Sequence, residues 1–125
     1  MIGTQLKVSG IDHVVLHVGD LERSKRFYID LLGFTVAHES SWQSFLHCGS
    51  QQVALFQARN GAEIHAGAEM NHMALRLESG EYEEVMGILE AAGVPVHGRP
   101  GDDRCIYFND PDGHALQLLT RSEQG

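Results

Sequence analysis

Three stretches from the first half of this chain return in the second half in the same order. His13-Val14-Val15-Leu16-His17-Val18 is matched by His72-Met73-Ala74-Leu75-Arg76-Leu77, and Leu31-Leu32-Gly33-Phe34-Thr35-Val36 by Ala91-Ala92-Gly93-Val94-Pro95-Val96. Val53-Ala54-Leu55-Phe56 is matched by Leu116-Gln117-Leu118-Leu119. A repeat that holds in order and spacing constrains the fold more than composition does. Each unit alone is too small to bury a core comfortably, so the two must pack together. The reading is one domain over residues 1–125, with a first module at about 9–57, a linker at about 58–70 and a second module at about 71–121.

Each module reads as strand, helix and three more strands. After a leader, Met1 to Ser9, in which Leu6 and Val8 can begin a strand, Ile11 to Val18 is extended. Val14, Leu16 and Val18 form one apolar face of that strand, and His13 and His17 lie on the other. Asp20 or Ser24 can cap the following helix, where Phe27 and Leu31 recur at helical spacing and Gly33 stops the run. Short strands follow at 34–38, 42–47 and 52–56, then an aperiodic linker. The second module opens with a strand at 71–77. Ser79 can cap a helix from Gly80 to Ala92, with Tyr82, Val85, Met86 and Leu89 as its apolar stripe. Val94-Pro95-Val96 is extended. The chain then makes a hairpin from Ile106 to Leu119 around the turn Asn109-Asp110-Pro111-Asp112-Gly113. The fold class expected is α+β: two pseudo-repeated βαβββ modules side by side in one cupped, eight-stranded mixed sheet with helices outside.

Charge removes several function classes. Lys plus Arg number 9 against 17 Asp plus Glu, a net charge of -8, and no basic run offsets it. This argues against a nucleic-acid or anionic-membrane surface. No apolar stretch reaches membrane-span length, and no secretion signal is recognisable at the N-terminus, so a cytoplasmic location is expected. Cys48 and Cys105 have no close-spaced partner and no activating base nearby in sequence. Eight histidines is a high number for 125 residues and directs attention to metal or acid–base chemistry.

The repeat puts four positions in correspondence: His13 and His72 at the starts of the first strands, Ala54 and Gln117 on the last strands. If the modules meet about a pseudo-twofold axis, these four converge in one groove. Two imidazoles there can ligate a divalent metal, with Gln117 as a weak neutral ligand through its amide oxygen. Equally, each histidine can be structural, and Gln117 can bond a neighbouring backbone group. Ala54 offers no donor. His17 shares the strand face of His13, and His47 is a less secure neighbour; both are candidate acid–base residues. Arg104 and Tyr107 precede the final hairpin, where they can meet a substrate carboxylate or phosphate, and Trp42 can wall an apolar pocket. His114, in the turn, reads as structural.

These residues resemble the vicinal oxygen chelate superfamily: the repeat, Ile11-Asp12-His13-Val14, Ser24-Lys25-Arg26-Phe27-Tyr28 leading to Leu31-Leu32-Gly33-Phe34, and Asp110-Pro111-Asp112-Gly113-His114. That group includes glyoxalase I, fosfomycin- and bleomycin-resistance proteins, extradiol dioxygenases and methylmalonyl-CoA epimerase. The resemblance implies a cupped pair of βαβββ modules, usually in a homodimer. It also implies a divalent metal (Fe, Mn, Ni or Zn) held by histidines at the positions of His13 and His72 and by a glutamate where this chain has Gln117. Glyoxalase I enzymes add a ligand where this chain has Ala54. Both departures count against ordinary glyoxalase I, and Gln117 also counts against dioxygenase and fosfomycin-transferase chemistry.

Two functions follow as expectations. The first is a divalent-metal-dependent enzyme on a small vicinal-oxygen substrate, of lyase, isomerase or dioxygenase type. There His13, His72 and Gln117 are metal ligands, His17 and His47 catalytic candidates, and Arg104, Tyr107 and Trp42 substrate contacts. The second is a metal-free, small-molecule-sequestering protein of the bleomycin-resistance kind, for which the net negative charge favours a cationic ligand.

Overall fold

The structure, a computed structural model, describes residues 5–60, 63–98, 101–102 and 104–120. In chain order the elements are β1 (His13–Val18), α1 (Leu21–Lys25), β2 (Thr35–Glu39), β3 (Gln43–Cys48) and β4 (Gln51–Gln57). The second half contains β5 (Met73–Arg76), α2 (Tyr82–Ala91), β6 (Cys105–Asn109) and β7 (Ala115–Leu119). Asp20 caps α1, its carboxylate accepting from the Arg23 amide at 3.1 Å. The helix runs on in π-helical turns through Arg26–Leu31 and ends where Gly33 takes φ 83°. Residues 5–12 are not in a strand. The second helix starts at Tyr82, the first residue of its apolar stripe and two residues later than the expected start at Gly80; Glu81 rather than Ser79 is its N-cap, with the Glu81 amide donating to Glu84.

The strands form two sheets rather than one. The first is four-stranded in the order β1-β4-β3-β2, and the second is three-stranded in the order β5-β7-β6. This overturns the expected eight-stranded cupped sheet. Among the described residues β1 and β5 are edge strands, paired only with β4 and β7 respectively. The strand expected from Val94-Pro95-Val96 reduces to one bridge between His97 and Tyr107. Pro95 has no amide hydrogen to give to a ladder, which weakens any strand built through it.

The modules join through α1 and the last hairpin turn instead of through sheet edges. Phe27 meets Phe108 with ring centres 6.2 Å apart, and the buried Tyr28 hydroxyl donates to Asp110 at 2.6 Å. Asp112 accepts from the Gly19 amide and the Arg23 guanidinium, each at 3.0 Å. One apolar cluster therefore spans both modules: Leu16, Val18, Leu46, Val53 and Leu55 from the first sheet, Ile106, Phe108, Leu116 and Leu118 from the second, and Tyr28, Val85 and Leu89 from the helical segments. This core uses one face of each sheet. The opposite face of the first sheet carries His13, His17 and His47.

Candidate functional site

Register places the open-face residues in rows, because laterally paired residues point to the same side of a sheet. On the first sheet one row is His13, Gln52 and His47; the next is Val15, Ala54 and Phe45; the third is His17, Phe56 and Gln43. On the second sheet the corresponding row is Ala74, Gln117 and Tyr107, with His72 immediately before β5. The correspondences of His13 with His72 and of Ala54 with Gln117 thus hold in three dimensions, and Phe45 with Tyr107 joins them.

The two histidines have matching surroundings. His13 Nδ1 lies 2.8 Å from the Asp12 carboxylate, and His72 Nδ1 lies 2.7 Å from the Asn71 amide oxygen. Since both neighbours present an acceptor, Nδ1 carries the proton in each neutral ring and the Nε2 lone pair is left for another partner. Among the described residues Nε2 of neither ring has a hydrogen-bond partner. His13 sits edge-on to Phe45 at 5.4 Å, and His72 edge-on to Tyr107 at 5.9 Å. A second imidazole stacks on each of those aromatic rings: His38 on Phe45 at 4.5 Å and His97 on Tyr107 at 5.5 Å. Sequence reasoning passed over His38 and His97. The signal was there, since they are separated by the same 59 residues as His13 and His72.

Gln117 is only 6% exposed, and among the described residues its amide makes no hydrogen bond. No amide atom of it is sealed from solvent, so the carboxamide reaches the open face beside Tyr107. Its counterpart Ala54 is fully buried and contributes no polar atom.

The remaining candidates separate. His17 and Trp42 line a cavity of about 510 Å³ with Phe56, Gln57, Arg59 and Glu63. The Glu63 carboxyl is held below its ordinary range, chiefly by the Arg59 backbone amide, with the Arg59 guanidinium and His17 adding to the effect. His47 is two strands from His13 in the same row, about 10 Å at the usual strand spacing. Arg104 is exposed and precedes β6 at the end of the second sheet opposite His72. His13 and His72 stand on different sheets. Among the described residues no group of three or more His, Cys, Asp or Glu side chains is placed to hold a metal ion.

The turn histidine belongs to a different assembly. His114 is buried, its Nδ1 is 2.8 Å from Asp110, and its amide donates to the same carboxylate at 2.9 Å. The hydrogen bond to Asp110 outweighs burial and raises the His114 imidazole above its ordinary range. For Asp110, burial pushes the carboxyl up, but the hydrogen bonds from His114 and Tyr28 outweigh it and hold the group below its usual value. Cys48 is half-buried, with its thiol pushed up by that burial; Cys105 is buried, and neither forms a disulfide.

Comparison with known proteins places this arrangement. The family model of the Glyoxalase/Bleomycin resistance protein/Dioxygenase superfamily matches residues 10–118. The chain is 32% identical over 121 residues to metallothiol transferase FosB of Staphylococcus saprophyticus, covering 94% of this chain and 80% of that protein. It is 31% identical over 114 residues to glutathione transferase FosA of Serratia marcescens, covering 89% and 80%. Among solved structures, the fosfomycin resistance protein FosX of Listeria monocytogenes, in complex with Mn(II) and sulfate, superimposes with a TM-score of 0.75 at 26% identity, covering 94% of each chain.

Proposed function

The chain belongs to the Glyoxalase/Bleomycin resistance protein/Dioxygenase superfamily, and from that premise we propose a divalent-metal enzyme acting on a small oxygen-bearing molecule, its site shared between two copies of the chain. The observation that carries the reading is the matched pair of imidazoles. His13 and His72 each have Nδ1 held by the preceding side chain and Nε2 without a partner among the described residues. Metal-binding histidines are commonly oriented in this way through their second nitrogen. Each stands at the start of an edge strand, on separate sheets, so one chain offers two half-sites and a second copy can supply the missing half to each. A homodimer with two shared sites is the stoichiometry proposed.

His13, His72 and the Gln117 amide oxygen would hold the cation, a donor set suited to Fe, Mn, Ni or Zn. A bound cation of this kind supplies Lewis-acid polarisation of a substrate oxygen. All three donors are neutral, so the ligand that completes the site carries negative charge. Gln117 cannot serve as a base, because an amide does not take up a proton at neutral pH. Of the two candidates, His47, in the row of His13 and about 10 Å from it, can take a proton only from a substrate that extends toward it or through water, and His17, about 13 Å along β1, is out of reach. Tyr107, beside His72 and opposite Gln117, is placed to donate its hydroxyl to a substrate oxygen. Relatives named as a metallothiol transferase and a glutathione transferase support group transfer as the reaction class, and the neutral Gln117 counts against it.

A mixing experiment tests the shared site. His13→Ala and His72→Ala proteins, each unable to bind metal, are combined under conditions of subunit exchange. The proposal expects the mixed dimer to regain one of its two sites; no recovery would place both ligands in one chain or remove the site.

One observation favours a second reading. Ala54 provides no donor and Gln117 no charge, and the open face of the first sheet is aromatic, as a metal-free binding protein would require.

A further inference from the structure

We infer that residues 5–11 of one copy form an arm that docks in the apolar groove between α2 and the first module of a second copy, with Leu6 and Val8 as its anchors. The groove lies on the core side of the sheets, opposite the face that carries His13, His17 and His47, and the inference does not depend on metal.

The arm stands clear of its own domain. Leu6 is 92% exposed and Val8 86%, the highest values among the exposed large apolar side chains. Among the described residues Gln5–Ile11 make no hydrogen bond, and a Cβ added at Gly10 would meet nothing within 4 Å. The chain is first held at Asp12, whose carbonyl accepts from the Gln52 amide at 3.1 Å. The alternation of Leu6 and Val8 with Lys7 and Ser9, which suggests a strand, thus finds no partner among the described residues. In extended form Leu6 and Val8 share the parity of Leu16 and Val18, whose side chains face the core.

The groove is an open end of that core. It measures about 670 Å³, with Phe34 and Cys48 on the side of the first module and Leu77 and Ile88 on the other. Ile88 is 51% exposed on the wall. Cys48 pairs with Gln51, next to the Gln52 that holds Asp12, so the groove opens at the end of the sheet from which the arm departs. Glu81 and Glu84 line the same groove, both exposed and, among the described residues, in no ion pair. Lys7 is the only charge between Gln5 and Ile11, so the arm matches that lining in sign as well as in apolar content. Arg76 also lines the groove but has the open-face parity of Ala74, away from the arm.

The occupant is a second copy because each chain carries one free arm and one open groove, and a twofold exchange fills both at once. From Asp12 to Leu6 the extended backbone spans about 20 Å, enough to cross to a neighbouring molecule.

A disulfide trap tests the docking in the full chain, kept metal-free with EDTA. Leu6→Cys is oxidised with diamide and resolved without reductant. A disulfide forms only at close approach, so a linked dimer joining the introduced thiol to Cys48 is expected, at least about fivefold faster than with Lys7→Cys, which faces the other way. Adding Cys48→Ala should abolish the dimer. A disulfide closed within one chain, a ladder extending beyond the dimer, or a dimer that survives Cys48→Ala would each overturn the inference. Independently, Leu6→Asp with Val8→Asp, and separately Ile88→Asp, all at exposed positions that folding tolerates, should raise the self-association Kd at least about tenfold in sedimentation equilibrium. Unchanged association in either, with circular dichroism confirming the fold, would also overturn it. Because EDTA is present throughout, failure here leaves the proposed metal site standing, and an empty metal site leaves the arm docked.

Discussion

The Tyr28 hydroxyl donates to the Asp110 carboxylate at 2.6 Å, across 82 residues of sequence and with both side chains buried. It ties the first helical segment to the last turn, and the same carboxylate also receives His114 Nδ1 and the amides of Asp112 and His114. Removing one partner from a buried ionic pair costs about 3 kcal/mol. Asp110→Asn is therefore expected to lower the thermal midpoint by roughly 10 °C in calorimetry. Tyr28→Phe, which leaves the ionic pair in place, should cost less, about 1–2 kcal/mol.

The same cluster gives stability a pH dependence. His114 is raised above its ordinary 6.5, so its contribution is complete below that value and is lost as pH rises through the folded-state pKa. Asp110 is lowered from 3.8, so its contribution is present above that value and is lost as pH falls through its folded-state pKa. Denaturant midpoints should accordingly be highest between about pH 4 and 6.5 and decline on the alkaline side. That alkaline decline should vanish in His114→Gln.

Asn71 has a separable role. Its amide oxygen fixes the proton of His72 on Nδ1, and loss of such a partner typically costs 10–100-fold in metal affinity. Asn71→Ala should weaken divalent-metal binding by about that factor in a calorimetric titration, with little change in folding stability because the residue is exposed. Unchanged affinity would show that the contact does not prepare a ligand.

Gln117→Glu supplies the charge that the donor set lacks. In metal-free protein a carboxylate at this 6%-exposed position is costly, so the variant should be less stable than wild type with EDTA present. Added Mn(II) or Zn(II) should reverse the order and bind at least about tenfold more tightly. Comparing melting curves with and without metal reads both effects at once.

The sequence shows the modules more clearly than their junction. Alternation in His13–Val18 and Ala115–Leu119 encodes strands and their faces, and the repeat identifies Ala54 and Gln117 as equivalents before any register is known. How the modules meet is held in contacts such as Asp112 with the Gly19 amide, 93 residues apart, which no periodicity records. Two βαβββ units can join at strand edges or through a helix, and the local pattern is the same in both cases. That is why an eight-stranded sheet was expected and two sheets occur. His38 and His97 escaped notice for another reason: each is exposed in a short extended segment, and its role as a stacking partner depends on cross-strand neighbours. His17 and Trp42 are separate candidates in the sequence, and the cavity that joins them is completed by Arg59 and Glu63, which no local pattern links to them.

The central claim is a metal site that needs both His13 and His72. The direct measurement is metal content per chain by mass spectrometry after equilibration with Mn(II), Ni(II) or Zn(II) and removal of excess, for wild type, His13→Ala and His72→Ala. The account predicts close to one equivalent in the wild type and loss in each single variant, with the fold intact by circular dichroism. No uptake by the wild type, or uptake unaffected by either substitution, would contradict it.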